Sequence, residues 1–200
     1  AESIPFTIPT VLLLDLSSSV EGLVPQIKAA TISLIESRTS NQRIAIYVFD
    51  RDTRLIQDFT DNEIELIEAV QSIPEDSLFS STNLYGAVVD VSEAWQDEVS
   101  MERITDGSLV IFTDGFHNAD PALTIQDAVG AMQDSSGSLR KIYVAALNGP
   151  DLDRAPLQQL TFATEGFFEA DDIGGLQEIF LEIQGEITAL ANSFYLLTYT

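Results

Sequence analysis

The stretch Val11-Leu12-Leu13-Leu14-Asp15-Leu16-Ser17-Ser18-Ser19 decides how this chain folds. Its aliphatic run reads as a buried strand, apolar on both faces as in a parallel sheet. The polar residues that follow sit where the strand ends and a helix begins. Open α/β sheets place their ligands at that kind of junction. Asp15, Ser17 and Ser19 offer a carboxylate and two hydroxyls on one tight turn. These are hard oxygen donors, the kind that Mg²⁺ or Ca²⁺ takes.

Outward from this stretch, strands and helices alternate. Positions 21–38 have helical spacing at Val24, Ile27, Thr31, Leu34 and Ile35. A nearly continuous apolar strand covers 43–49. A shorter strand over 54–59 follows the turn Asp50-Arg51-Asp52, which reads as solvated. It lies too close to its predecessor for a helical crossover, so it is expected as an antiparallel edge partner. Thr60 and Glu63 have the spacing of a capping box for a helix ending at Pro74. Further helices are expected over 84–99, with Trp95 on the apolar face, and over 124–133, 157–163 and 175–190. Strands are expected over 108–113, 141–147 and 166–170. This pattern predicts a doubly wound, mostly parallel sheet with one short antiparallel edge strand and helices on both faces. The whole chain, 1–200, reads as one domain. Residues 193–200 read as an extra strand, paired with the strand-like stretch 4–8, or as the start of a connection to a neighbouring domain.

Composition narrows the function. The sequence has 9 Lys and Arg against 32 Asp and Glu, a formal charge of −23. So acidic a chain has no basic footprint for nucleic acid and is repelled by anionic lipid. No apolar stretch is long enough for a transmembrane helix. Cysteine is absent, which excludes disulfides and thiolate metal sites. The chain begins Ala1-Glu2-Ser3 without an initiator Met and reads as part of a larger multidomain chain, with a secreted, cell-surface or periplasmic location expected.

Three loops are expected to converge at the carboxyl edge of the sheet. The first carries Asp15, Ser17 and Ser19. The second is Ser80-Ser81-Thr82-Asn83-Leu84, before a helix. The third is Thr113-Asp114-Gly115, after a strand. Together they offer enough oxygens for a divalent ion that keeps some of its water. Each piece also has a simpler reading. Ser18 and Glu21 fit a capping box, Thr82 fits an N-cap, and Asp114-Gly115 fits a turn.

Asp-x-Ser-x-Ser at 15–19, Thr82 in its Ser-Thr-Asn-Leu context and Thr-Asp-Gly at 113–115 together resemble the metal-ion-dependent adhesion site of von Willebrand factor A domains. The order matches, and the resemblance spans essentially the whole chain. It implies Ser17, Ser19 and Thr82 as hydroxyl ligands, with Asp15 and Asp114 binding directly or through water. It implies Mg²⁺, with Mn²⁺ or Ca²⁺ as alternatives. It also implies a protein partner that presents Asp or Glu to the metal. Phe79, Phe116 and His117 lie on the same rim and are candidate partner contacts, with His117 expected to be solvent-exposed.

The function expected is a divalent-cation-dependent adhesion or protein-binding module, not an enzyme. One alternative is a scaffold domain of a larger surface or secreted protein, with a structural metal. A Mg²⁺-dependent phosphoester hydrolase is the other. The sequence has no phosphate-binding Gly-Lys-Ser/Thr loop and no nucleophile elbow. Ser17 stands where an aspartyl-phosphate enzyme would place a second Asp.

Overall fold

The structure, a computed structural model, describes residues 6–75, 81–94, 98–99, 104–105, 107–115, 117–119, 123–133, 140–150, 152–162 and 165–195. The opening stretch ends strand β1 (Phe6–Asp15). Its side chains alternate between two cores, as a period of two requires. Leu12 and Leu14 face one core, and Val11 and Leu13 face the other. All four are essentially inaccessible, which is why the run shows no polar alternation.

A 3-10 stretch (Ser18–Leu23) leads into α1 (Val24–Glu36). The α-helix starts later than the apolar spacing suggests, with Pro25 in its first turn. Proline has no N–H to donate, and the first turn is where that costs nothing. Strands β2 (Gln42–Phe49) and β3 (Thr53–Thr60) form the expected antiparallel hairpin. Helix α2 (Glu63–Ser72) is capped by Asn62, whose side chain accepts from the Ile64 N–H. Thr60 is not the cap, and its hydroxyl instead donates to Glu65.

Helix α3 (Leu84–Ser92) is shorter than its apolar spacing predicts. Glu98–Val99 is not helical. It is β4, paired antiparallel with β5 (Ile104–Thr105), which joins the start of β1. Trp95 lies outside the described residues. Strand β6 (Ser108–Thr113), helix α4 (Ile125–Ala131), strand β7 (Lys141–Leu147), helix α5 (Arg154–Leu160) and strand β8 (Phe167–Ala170) follow. The last helix, α6 (Ile173–Tyr195), runs into the segment expected to be a strand. Residues 193–195 are therefore helical, while 196–200 lie outside the described residues. Phe6 to Ile8 belong to β1, where Phe6 and Thr7 pair with β5 and Ile8 pairs with β2.

The main sheet has the order β3-β2-β1-β6-β7-β8. All neighbours are parallel except β2 and β3. Helices α1, α2 and α6 cover one face, while α3, α4 and α5 cover the other. From β1 the chain moves outward to β2 and β3, then returns to β6 on the opposite side. The carboxyl ends of β1 and β6 thus flank the point where the strand order reverses, where such sheets leave a crevice.

Candidate metal centre

Asp15 ends β1 and is fully buried. Its Oδ1 accepts the Ser17 N–H at 2.9 Å. Its Oδ2 accepts the Thr113 hydroxyl at 2.7 Å, across the strand-order reversal. Thr113 in turn accepts the Gly115 N–H at 2.9 Å. Burial, and then the nearby Asp114 carboxylate, push the Asp15 carboxyl up to about 7, against the pull of its Ser17 and Thr113 hydrogen bonds. Burial beside a second acid disfavours the charged form, and a cation between the two would favour it.

Asp114 supplies the second observation. Its Oδ1 is buried and has no hydrogen-bond partner. Buried carboxylate oxygens rarely lack one, because desolvation without compensation is costly. Gly115 fixes the turn that carries Asp114. Its φ is +88°, and a Cβ there would lie 2.4 Å from Leu152 Cδ1. Both facts call for glycine at this position.

The two serines lie on the 3-10 side of the junction. Ser17 is buried and Ser19 exposed, and their hydroxyl oxygens are 3.0 Å apart. A helix-capping role for this cluster is not realised, because α1 begins after Leu23 without any side-chain cap.

Thr82 is also buried and is not a cap. Asn83 caps α3 by accepting the Gly86 N–H. The Thr82 N–H donates to Asn118 Oδ1 at 2.6 Å. Its carbonyl accepts the N–H groups of Asn118 and Ala119 at 3.1 and 3.2 Å. The loop carrying Thr82 is thereby joined to the loop that follows Asp114.

A ring contact reinforces that join. His117 stacks on Tyr85 with centroids 4.0 Å apart. The ring is half-buried rather than exposed, and both its nitrogens are buried without a partner. Burial holds its pKa below the ordinary histidine value. Phe79 and Phe116, the other candidate contacts, lie outside the described residues.

Asp50 departs most from the sequence reading. The turn Asp50-Arg51-Asp52 was expected to be solvated, yet Asp50 is fully buried. Both its carboxylate oxygens accept from the Arg54 guanidinium, each at 3.0 Å. Arg54 lies on the adjoining strand, so only the hairpin reveals the pairing.

Among the described residues, no group of three or more His, Cys, Asp or Glu could hold a metal ion. The edge instead combines the Asp15 and Asp114 carboxylates with serine and threonine hydroxyls, an all-oxygen set suited to hard divalent cations. A cleft of about 190 Å³ adjoins it, lined by Ser19, Asp114 and the loop from Leu147 to Pro150.

A doubly wound sheet with hard oxygen donors at its strand-order reversal defines the class, a Rossmann-like α/β domain with a candidate cation site at its carboxyl edge. Residues 10–182 match the von Willebrand factor type A domain, and the chain belongs to that family. Such domains are adhesion and protein-interaction modules, generally non-enzymatic. No curated protein matches the chain. Among solved structures, it is similar to the conserved hypothetical protein BatB from Bacteroides thetaiotaomicron, with 16% identity over 92% of this chain and 99% of that one, and a TM-score of 0.73. It is also similar to the vWF domain of the type V pili tip protein Mfa5 from Porphyromonas gingivalis, with 12% identity over 94% and 97% of the two chains and a TM-score of 0.69. A third relative in fold is proximal thread matrix protein 1 from the mussel byssus with a zinc-occupied MIDAS motif, with 14% identity over 92% of this chain and a TM-score of 0.74. This chain spans 48% of that mussel protein. At these identities the likeness is one of fold.

Proposed function

We propose that this domain is a divalent-cation-dependent protein-binding module. In this reading Asp15, Ser17, Ser19, Thr82 and Asp114 hold the ion, directly or through water. The observation that carries it is the buried, unpartnered Asp114 oxygen beside a buried Asp15. A cation answers both needs at once. The donor spacing fits as well. Two oxygens on adjacent vertices of a Mg²⁺ octahedron lie about 2.9 Å apart at ordinary Mg–O distances, and the Ser17 and Ser19 oxygens are 3.0 Å apart. A compact, hydroxyl-rich site leans toward the smaller Mg²⁺ or Mn²⁺. The zinc at the MIDAS of the mussel protein supports a divalent ion in this fold.

A bound ion supplies an electrophile for a carboxylate from outside. The chain's own residues fix where that carboxylate approaches. With only Asp15 and Asp114 as charged donors, the site leaves a divalent ion close to neutral, not over-compensated. Ser19 and Asp114 border the adjoining cleft, so residues flanking a partner's Asp or Glu would pack against Leu147, Asn148 and Pro150. A surface or secreted setting within a larger protein fits the pilus-tip and byssus relatives.

Calorimetric titration with Mg²⁺, Mn²⁺, Ca²⁺ and Zn²⁺ tests the site. Ser17→Ala and Asp114→Ala should each weaken binding at least tenfold, on the order of one lost ligand. Unchanged affinity in both would remove the assignment. A matched peptide pair bearing Glu or Gln then tests the partner chemistry. If the metal raises Tm and neither peptide binds, the ion is structural and the domain a scaffold.

A further inference from the structure

We infer that the buried Asp50–Arg54 ion pair is a positioning device for the candidate metal centre, a role that rests on the functional reading above. Two consecutive carbonyls at the end of β2 each hold a donor loop. The Phe49 carbonyl accepts the Leu16 N–H at 2.8 Å. The Asp50 carbonyl accepts the Asn83 N–H at 2.7 Å. Leu16 lies between Asp15 and Ser17, and Asn83 directly follows Thr82. One dipeptide therefore holds both the first and the second donor loop, and its geometry sets their separation.

What fixes that dipeptide is the Asp50 side chain. Its carboxylate is fully buried and receives both arms of the Arg54 guanidinium, a paired geometry that restricts rotation. Oδ1 also accepts the Asp52 N–H at 3.1 Å, closing the hairpin turn. The Asp50 N–H reaches the Asp52 carbonyl only at 3.4 Å, so the side chain carries most of the constraint. Arg54 sits on the edge strand and is one-third exposed. The ion pair ties that edge strand to the end of β2.

The third donor loop is reached by the same route. Thr82 is joined to Asn118, and the Tyr85–His117 stack runs alongside. Asp114 lies at the start of that segment. Loosening β2 at Asp50 would therefore disturb Thr82 directly and Asp114 through Asn118. Arg54 itself donates to no proposed metal ligand.

The test compares Arg54→Gln, Arg54→Lys and the neutral pair Asp50→Asn/Arg54→Gln, which leaves no buried unpaired charge if Arg54→Gln alone fails to fold. Mn²⁺ affinity is measured by calorimetry well below each variant's Tm, and amide exchange is followed in the metal-free protein. Neutral variants should bind Mn²⁺ about tenfold more weakly, as when groups that orient metal ligands are lost, and Arg54→Lys should recover part of the loss. Exchange should accelerate at Leu16 and Asn83 while Ile111, in the central strand, stays protected. A lowered Tm with unchanged Mn²⁺ affinity would overturn the positioning role. Unchanged exchange at Leu16 and Asn83 would overturn the bracket itself, even if Mn²⁺ failed to bind the wild-type chain. That last failure would sink the metal reading instead.

Discussion

Replacing Asp15 by Asn should stabilise the metal-free protein at alkaline pH, although it removes a proposed metal ligand. Asp15 is buried, and its carboxyl is raised from 3.8 to about 7. The folded state therefore holds this proton more tightly than the unfolded state does. As pH rises from about 4, the unfolded chain gives up the proton first, and stability falls until the folded carboxyl is ionised above pH 7. The full interval corresponds to roughly 4 kcal/mol. Asn escapes that penalty but disturbs the bond from Thr113, at a cost of about 1 kcal/mol. The metal-free variant should thus be about 3 kcal/mol more stable than wild type at pH 8, and slightly less stable at pH 4. Urea unfolding in EDTA at pH 4, 6 and 8 measures this, because titration of the acids remote from Asp15 is common to both proteins and cancels in the difference. Mg²⁺ at a thousand times Kd should reverse the order at pH 8, since it stabilises only the binding-competent protein, by about 4.1 kcal/mol. A difference that does not change with pH, or a wild type that is the more stable at pH 8 without metal, would refute the reasoning.

The same proton competes with the metal, so the apparent Mn²⁺ Kd should rise about fivefold between pH 7 and pH 6; a flat calorimetric profile would dissociate Asp15 from the site. Gly115→Ala combines an unfavourable positive φ with a clash against Leu152; it should cost about 2–3 kcal/mol, lowering Tm by roughly 5–10 °C in a scanning-calorimetry comparison. Gln184→Ala removes two hydrogen bonds from the buried Gln42 amide, at 2.8 and 3.2 Å, and leaves it the Thr10 hydroxyl at 2.8 Å. The substitution should cost about 1–2 kcal/mol in urea unfolding, and no change in midpoint would show that the amide pair contributes nothing.

The central strands were readable because their whole neighbourhood is apolar. Ser108–Thr113 and Lys141–Leu147 have the bounds their composition suggests. Local chemistry also placed Asp15 and Asp114 at strand ends. What escaped was set by partners distant in sequence or by competing local donors. Asp50 looked like a solvated turn because nothing in Asp-Arg-Asp shows which arginine it meets. Its bonds go to Arg54 across the hairpin, whereas neighbouring Arg51 pairs with Asp52. The fold of Thr82 against Asn118 could not be seen either, since it joins loops from opposite ends of the α3–β6 segment. Near Glu98, short strands replaced an expected helix because pairing with Ile104–Thr105 outweighed helical spacing. At α2 the choice was purely local. Thr60 and Asn62 both had oxygen acceptors in reach, and Asn62 had the position nearer the first turn.

Titration of the wild-type domain and Asp114→Ala with Mn²⁺, followed by calorimetry at pH 8, tests the central claim most directly. The wild type should show saturable binding at a single site, and the variant at least a tenfold loss, because the unpartnered buried oxygen is gone. No saturable binding in the wild type, or equal affinity in both proteins, would contradict it.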